Sequence, residues 1–270
     1  MLDVSSEVFE SVRAQVESVL RWTAVPLGFE GHTRRMTVAS GVLVRLLDNH
    51  FVITSSHVFD EFFEGKDEVF LPLTPEEAGI PLGTELVRFG GSKEDVALLR
   101  LTESHVRALE AMGSRFVRLS DSDCSSGQLQ DAGYVVIGYP QDHLQVDAAG
   151  DWRVRSADFH CVRFEGSDDE LASSYDPSLH ALLRWNAPVG SNGETVPHPG
   201  GMSGAGVWRT FTKREVKEGR WSVDSARLVG IQSGYFPDPG ALKIVRFQLV
   251  RELIARAYPE TGRATQLVRT

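Results

Sequence analysis

Apolar residues follow a helical period at the two ends of the chain and a shorter period between them. Over 5–22, valine, leucine and phenylalanine recur at three- and four-residue spacings behind serines that can cap a helix, which predicts an amphipathic N-terminal helix. From about residue 36 the pattern changes to alternation and to short apolar runs, which is typical of β-strands. Over 245–257 the helical spacing returns and ends before Pro259, which predicts a C-terminal helix.

The middle of the chain is predicted to form about a dozen short strands, with turn signals roughly every 8–12 residues. The first two strands would meet at a turn on Asp48 and Asn49. The stretch 104–112 fits either a short helix or a turn-rich link. Because other helices are expected only at the two ends, the pattern favours all-β barrels or sandwiches over alternating βαβ units.

Composition and charge disfavour several classes of protein. The chain has 270 residues, of which 41% are hydrophobic and 24% charged, as in a soluble globular protein with one large or two small domains. A net charge of −9 disfavours binding to phosphates, so we expect no nucleic-acid partner. No run approaches the ~18–20 apolar residues of a membrane helix, and the acidic N-terminus does not resemble a secretory signal.

The two cysteines, Cys124 and Cys161, are too few for a disulfide scaffold in a chain of this length, although they could pair. The default interpretation is a reducing compartment, so we expect a cytoplasmic protein. Arginine outnumbers lysine 23 to 5, which is associated with a GC-rich bacterial genome.

Three segments carry residues with catalytic potential. His57 follows an apolar strand, Asp95 begins another, and Ser203 lies in the glycine-rich stretch GGMSGAG. Serine is a weak nucleophile until an adjacent base takes its proton, and histidine is suited to that task near neutral pH. A buried carboxylate fixes the histidine tautomer. We expect the glycines to let a substrate carbonyl approach backbone N–H groups.

Each of the three residues also has a structural interpretation when taken alone. His57 could be a structural histidine at a strand end, and Asp95 could cap its strand, with Glu94 as a rival acid. Ser203 could be an ordinary turn serine. A zinc site is a further alternative, but the candidate ligands lack the spacing of a tight pair, so we expect no metal and no cofactor. Those candidates are His160, Cys161, His180 and His198.

Four motifs, in this order, resemble the trypsin/chymotrypsin-like serine peptidase family. They are ASGVLVRLLDNHFVITSSHVF at 39–59, DVALLRL at 95–101, GGMSGAGVW at 200–208 and LVGIQSG at 228–234. The resemblance covers roughly 36–258 and implies two six-stranded antiparallel Greek-key β-barrels. The expected division is an N-terminal helix over 1–24, a first barrel over 25–120, a second barrel with the C-terminal helix over 121–258, and a tail over 259–270.

The resemblance implies a role for each matched residue. His57 would be the general base, Asp95 would orient it, and Ser203 would be the nucleophile. The backbone N–H groups of Gly201 and Ser203 would form the oxyanion hole. Ser233 matches a position beside the substrate backbone that often hydrogen-bonds the aspartate, and Gly234 lies where a substrate strand could pair.

The specificity pocket departs from the pattern of the digestive enzymes. Pro197 stands where trypsin carries its acid, so a preference for Arg or Lys does not follow. His198 and Gln232 occupy neighbouring pocket positions, and a histidine there would suit an acidic or polar substrate side chain. Met202 replaces the aspartate that pairs with a newly cleaved N-terminus, so activation by trimming is not expected. In this respect the chain is more similar to bacterial and viral members.

We therefore expect a serine endopeptidase that hydrolyses protein or peptide substrates through an acyl-enzyme. An uncontrolled cytoplasmic protease would be toxic, so we also expect regulation by a partner or ligand. The alternative is a catalytically silent peptide-binding pseudo-peptidase or an interaction scaffold. The N-terminal helix either packs on a barrel or serves as a docking or autoinhibitory element.

Overall fold

The computed structural model describes most of the chain in segments. These are residues 11, 14–15, 18–30, 36–62, 69–71, 80–81, 86–90, 93–118, 132–146, 152–166, 171, 174–185, 198–212, 214–215, 218 and 222–259. Within them the chain forms two large β-sheets, one small hairpin and three α-helices with described bounds, besides helical residues near the N-terminus.

The first sheet uses the N-terminal half of the chain. Its eight strands are β1 (Ala24–Glu30), β2 (Met36–Leu46), β3 (Asn49–Thr54), β4 (Val69–Leu71), β5 (Ile80–Pro81), β6 (Leu86–Phe89), β7 (Val96–Arg100) and β8 (Val117–Arg118). Seven of them lie in the order β5-β4-β1-β2-β3-β7-β6 and pair antiparallel, and β8 pairs parallel with β2. The first hairpin turns at Leu47 and Asp48, since Leu46 pairs with Asn49. The predicted turn at Asp48 and Asn49 was therefore one residue late.

The second sheet uses the C-terminal half. Its six strands are β9 (Ala132–Gly138), β12 (Ala157–Cys161), β13 (His180–Arg184), β14 (Gly206–Thr212), β15 (Arg227–Phe236) and β16 (Ala241–Arg246), in the order β12-β9-β14-β15-β16-β13. A bridge between Arg163 and Leu183 joins the two outermost strands, so this sheet closes on itself. Two further strands, β10 (Leu144–Val146) and β11 (Trp152–Val154), form the small hairpin.

The α-helices are α1 (His57–Phe62), α2 (Glu103–Ala111) and α3 (Phe247–Ala257). Helix α3 is the predicted C-terminal helix. Helix α2 resolves the ambiguity over 104–112, and its start is capped by Thr102, whose hydroxyl accepts from the His105 N–H. Helix α1 was not expected, because its first residues, 57–59, follow β3 closely and the sequence pattern places them in the same strand.

The hydrophobic core joins the two sheets. One apolar cluster combines Phe51 and Ile53 of β3 with Val135 of β9 and with Phe247 and Ile254 of α3. Two smaller apolar clusters lie one in each sheet, the first in the N-terminal sheet and the second in the C-terminal sheet. Burial of this size and contiguity holds the sheets against each other. The boundary predicted at 120/121 falls between β8 and β9, and the division into domains stays a prediction.

The N-terminal segment lies against the body of the protein. Residues 11, 14, 15, 18 and 19 are helical and a 3₁₀ turn, Leu20–Thr23, follows, whereas the rest of the predicted helix lies outside the described residues. Leu20 is buried in the shared core, and the Arg21 guanidinium donates to the Ser156 hydroxyl at 2.6 Å. These contacts fit the interpretation in which the helix packs on a barrel.

Two further expectations concern membrane spans and cysteines. In the described part of the chain, no helix has the length and apolar character that crossing a membrane requires. Cys161 is a buried free thiol, and burial raises its pKa to about 12. Cys124 lies outside the described residues.

Candidate active site

His57 is the first residue of α1, directly beyond the end of β3. Its backbone N–H donates to Asp95 Oδ1 at 2.9 Å. The carboxylate of Asp95, the residue before β7, thus accepts one of the N–H groups that the start of a helix leaves without a partner. The imidazole remains about one third exposed. The end of β3 and the carboxylate together determine where the ring lies.

Asp95 immediately precedes β7 in a strained backbone conformation. Its φ of +42° lies in the left-handed region, which costs a non-glycine residue about 1 kcal/mol or more. The residue is only 7% exposed. Its two carboxylate oxygens lie 3.1 and 2.9 Å from Nδ1 of His57. Strain of this kind persists where surrounding contacts over-determine the conformation.

The structure brings Ser203 to the other side of the same imidazole. Ser203 Oγ lies 3.0 Å from Nε2 of His57. With Nδ1–H donating to the Asp95 carboxylate, Nε2 carries the lone pair and accepts the Ser203 hydroxyl proton. His57, Asp95 and Ser203, which are far apart in the sequence, therefore form one hydrogen-bonded chain from carboxylate to hydroxyl.

Backbone hydrogen bonds fix the loop that carries Ser203. The Ser203 carbonyl accepts from the Ser40 N–H of β2 at 2.9 Å, and the Gly204 N–H donates to the Gln232 carbonyl of β15 at 2.8 Å. The Gly200 carbonyl accepts from the Gln141 N–H at 2.8 Å. The loop is thus attached to both sheets.

Two glycines in this loop are required by the chain's own backbone. Gly201 and Gly204 have φ of +85° and +88°, which disfavours any residue with a Cβ. A Cβ at Gly201 would lie 2.5 Å from the Gln141 nitrogen, and one at Gly204 would overlap the Ser40 carbonyl oxygen and the Thr54 hydroxyl. The expectation that the glycines make room for a substrate therefore needs correction, because these two make room for β2, β3 and the 139–141 link.

The N–H groups of Gly201 and Ser203, the predicted oxyanion donors, have no acceptor among the described residues. Their neighbours differ, since Met202 donates to the Pro199 carbonyl and Ala205 to the Met202 carbonyl. The Gly200 carbonyl is engaged by Gln141 and does not accept from Ser203. Among the described residues, no protein acceptor therefore competes with a ligand oxygen for either N–H group.

His180 of β13 anchors the turn that carries Asp95, which sequence reasoning did not detect. It is fully buried, its Nδ1 accepts from the Asp176 N–H at 2.9 Å, and its Nε2 donates to the Lys93 carbonyl at 2.7 Å. Burial, reinforced by the charge of Lys243, lowers the pKa of His180. Both ring nitrogens are used, so this histidine is not available as a zinc ligand. Its only sequence signal is an unusual polar residue at the start of an apolar strand.

A cleft of about 460 Å³ opens beside the imidazole. Its walls combine residues of both sheets, and two of them, Ser233 and Gly234, were predicted to bind substrate. Lys243 of β16 also lines the cleft and was not predicted, because its position in ALKIVR fits an ordinary strand. The lining residues are Ser56, His57, Asp60, Gly90, Asp95, Ser174, Ser233, Gly234, Tyr235, Phe236 and Lys243.

Two of the predicted specificity residues, His198 and Gln232, do not line this cleft. Pro197 lies outside the described residues. His198 is exposed and contacts the Tyr235 ring edge-on at 5.8 Å between ring centroids. Gln232 is only 2% exposed, and its side-chain amide donates to the Gly234 carbonyl at 3.0 Å. The Gln232 side chain therefore stays within β15, and its main-chain groups bond Gly204 and Ala205 of the serine loop.

Two expectations drawn from the resemblance can be compared directly with the structure. Ser233 was expected to bond the aspartate, but its buried hydroxyl has no hydrogen-bond partner among the residues that the structure describes. The Asp95 oxygens are instead directed at the backbone N–H and ring of His57. Met202 is 1% exposed in the apolar core of the second sheet, which suits a side chain without an ionic partner.

Comparisons with known proteins define the fold. No protein-family model matches the chain, and no curated protein matches it in sequence. Among solved structures it is similar to the scabies mite inactivated protease paralogue S-I1, with a TM-score of 0.54 and 13% identity over 89% of this chain and 95% of that one. The HtrA-type protease AlgW with tripeptide gives a TM-score of 0.54 and 13% identity over 92% and 64%. The serine endoprotease from Yersinia pestis gives 0.51 and 14% over 91% and 66%.

These neighbours are trypsin-like and HtrA-type serine proteases, so the chain has the chymotrypsin-like protease fold. The predicted fold class is confirmed. In detail, the described residues give eight strands in the first sheet and six in the second, whereas six and six were predicted. The chain spans just under two thirds of the HtrA-type protease and of the Yersinia endoprotease.

Proposed function

We propose that the protein is a serine endopeptidase that hydrolyses peptide bonds through an acyl-enzyme on Ser203. The observation that carries the proposal is the hydrogen-bonded chain from Asp95 through His57 to Ser203, with 2.9 Å at one end and 3.0 Å at the other. In this arrangement a base and its orienting carboxylate activate a hydroxyl.

The reaction follows from the positions of these groups. Ser203 Oγ attacks the substrate carbonyl carbon while its proton passes to Nε2 of His57, and Asp95 stabilises the imidazolium. The Gly201 and Ser203 N–H groups bind the oxyanion, and one such donor contributes about 3 kcal/mol in known cases. The C–N bond then breaks, and His57 returns its proton to the leaving amine. Water, deprotonated by the same imidazole, hydrolyses the ester.

The fold by itself is not evidence that the protein is catalytically active. The scabies mite neighbour is described as an inactivated protease, so a chain can have this architecture without catalysis. The alternative of a silent peptide-binding protein is disfavoured here because the three side chains are present and connected. The N–H groups of Gly201 and Ser203, which have no acceptor among the described residues, also favour an enzyme.

Labelling with a fluorophosphonate tests the proposal. The reagent modifies an activated serine, so we expect stoichiometric labelling of the wild type at Ser203, located by peptide mass spectrometry. Ser203→Ala should fold normally and take no label, and Ser114→Ala, a serine outside the site, should label like the wild type. Equal labelling of wild type and Ser203→Ala would refute the assignment, and no labelling of the wild type would favour the silent binding protein.

We also propose that the enzyme works inside a bacterial cell and is restrained by a partner or ligand. The support is indirect, namely the cysteine content, the residue composition and the cost of an uncontrolled protease. Removal of residues 1–17, which leaves the buried Leu20 in place, tests the N-terminal segment. Faster hydrolysis of a denatured protein by the shortened chain would support autoinhibition. Unchanged hydrolysis would show that this segment does not restrain the enzyme.

A further inference from the structure

Lys243 is a buried cation at the candidate active site. It lies in β16 and is only 6% exposed, although lysine is rarely this buried unless it is paired. No hydrogen bond or ion pair joins its ammonium group to any residue that the structure describes. The side chain nevertheless lines the cleft that contains His57 and Asp95.

The absence of a side chain at Gly234 gives Lys243 access to the cleft. Gly234 of β15 pairs with Lys243 just beyond a register shift at Ser233. A Cβ at Gly234 would lie 3.3 Å from Lys243 Cε. The lysine stem therefore occupies the space that a larger residue at 234 would fill.

The carboxylates already present in the cleft are engaged by other groups. Asp95 directs both oxygens at His57, and Asp60 is paired with the Arg88 guanidinium. Burial lowers the pKa of Lys243, and the charge of Asp95 opposes this without cancelling it. A desolvated cation without a close partner is unfavourable, and an anion that enters beside it is correspondingly stabilised.

We propose that Lys243 is a specificity-determining residue that selects a substrate with an acidic side chain close to the scissile bond. The inference rests on the proposed peptidase function and names its substrate class. The aspartate or glutamate carboxylate would bind the ammonium at the base of the cleft, while the peptide backbone lies along the edge of β15. The neighbouring walls, Tyr235 and Phe236, would contact the aliphatic part of the acidic residue.

Matched peptides test this subsite. Each pair is blocked at both termini and differs only by Glu or Gln at one position within four residues of the cleaved bond. We expect wild type to cleave the Glu peptide with kcat/KM about tenfold higher than the Gln peptide at one position, since a charge-assisted contact replaces a neutral one. Lys243→Met should bring that ratio to about one. Arg107→Met, which removes an exposed cation on α2, should keep the wild-type ratio.

Two additional measurements separate the possible failures. Fluorophosphonate labelling of the wild type is performed first, and its absence would overturn the peptidase function itself. A labelled wild type without a Glu preference at any position would overturn only the role of Lys243. Lys243→Arg keeps the charge, so it should retain a Glu preference. If Lys243→Met does not fold, equal kcat/KM values of Lys243→Arg for the Glu and Gln peptides would contradict the proposal.

Discussion

The two turns that meet at the imidazole are held in place by different kinds of contact. The Ser203 loop is attached through main-chain hydrogen bonds to Ser40, Gln141 and Gln232. The turn before β7 is held mainly by side chains, because the His57 imidazole bonds the Asp95 carboxylate and the His180 ring bonds the Lys93 carbonyl. At its outer edge, the Lys93 ammonium lies 3.4 Å from an Asp176 oxygen.

This difference determines how each turn responds to mutation. A loop attached mainly by main-chain groups is sensitive to any Cβ that prevents close approach. It depends less on distant side chains, although the Ser40 hydroxyl also donates to the Gly201 carbonyl at 2.8 Å. A turn attached by side chains depends on particular residues elsewhere in the chain. It also carries left-handed strain at Asp95, so the loss of one anchor should let it relax.

The largest expected effect comes from the carboxylate itself. Asp95→Asn preserves the shape and tolerates a positive φ. When its Oδ1 accepts from the His57 N–H, however, its NH2 group faces Nδ1 and favours the wrong histidine tautomer. We expect kcat to fall by about four orders of magnitude, as in comparable triads, measured on a fluorogenic peptide that the wild type cleaves.

Glu94→Gln is the control for this substitution. Glu94 was the rival acid in the sequence, and in the structure it lies 3.6 Å from Arg256 near the end of α3. Its neutralisation should change kcat less than about threefold, because it does not contact the imidazole. A similar loss in both variants, or a loss under tenfold in Asp95→Asn, would contradict the assigned role of Asp95.

Gly204→Ala should break the main-chain attachment of the serine loop. The new Cβ would require φ of +88° and would overlap Ser40 and Thr54, so we expect a loss of at least about 2 kcal/mol in the free energy of unfolding. Fluorophosphonate labelling should fall with it. Urea unfolding followed by tryptophan fluorescence measures the stability.

Gly200→Ala is the matched change in the same loop. Gly200 does not have a positive φ, and a Cβ there would come no closer than 3.3 Å to His198 Nδ1. Its stability should stay within about 1 kcal/mol of the wild type. If both alanine variants are equally stable, close backbone approach is not what these glycines provide.

A smaller effect is expected at the side-chain anchor. The Gln amide nitrogen can replace Nε2 of His180 and still donate to the Lys93 carbonyl, whereas the Asn oxygen can replace only Nδ1. We expect His180→Asn to lower kcat by about ten- to a hundredfold with little change in KM, since the turn bearing Asp95 shifts. His180→Gln should recover most of that loss. Equal kcat in the two variants would show that His180 does not position the turn.

The same difference explains which parts of the site could be predicted from the sequence. Main-chain attachment requires glycine, so the Ser203 loop is visible as a dense glycine run, and the apolar periods predict β2, β3, β7 and α3 well. His180 lies 87 residues from Lys93, and nothing local to either residue reveals their contact. Lys243 is hidden for the same reason, because its importance comes from the missing side chain at Gly234 in the neighbouring strand. Helix α1 escaped because a six-residue helix is too short to display a period of 3.6.

The smallest expected effect is a dependence of stability on pH at this anchor. Burial lowers the pKa of His180 below its ordinary value of 6.5, so the unfolded chain binds this proton more readily than the folded protein does. The stabilising contribution is therefore complete above about pH 6.5 and is lost as the pH falls towards the lowered pKa. Protonation would also place a ring N–H against the Asp176 N–H, which in this structure donates to Nδ1.

We expect the urea midpoint of the wild type to fall more between pH 8 and pH 5.5 than that of His180→Gln. The variant retains His50 and His105, whose pKa values are also lowered. Parallel curves for the two proteins would mean that His180 takes up a proton without disturbing the turn, and the side-chain attachment would then be weaker than its hydrogen bonds indicate.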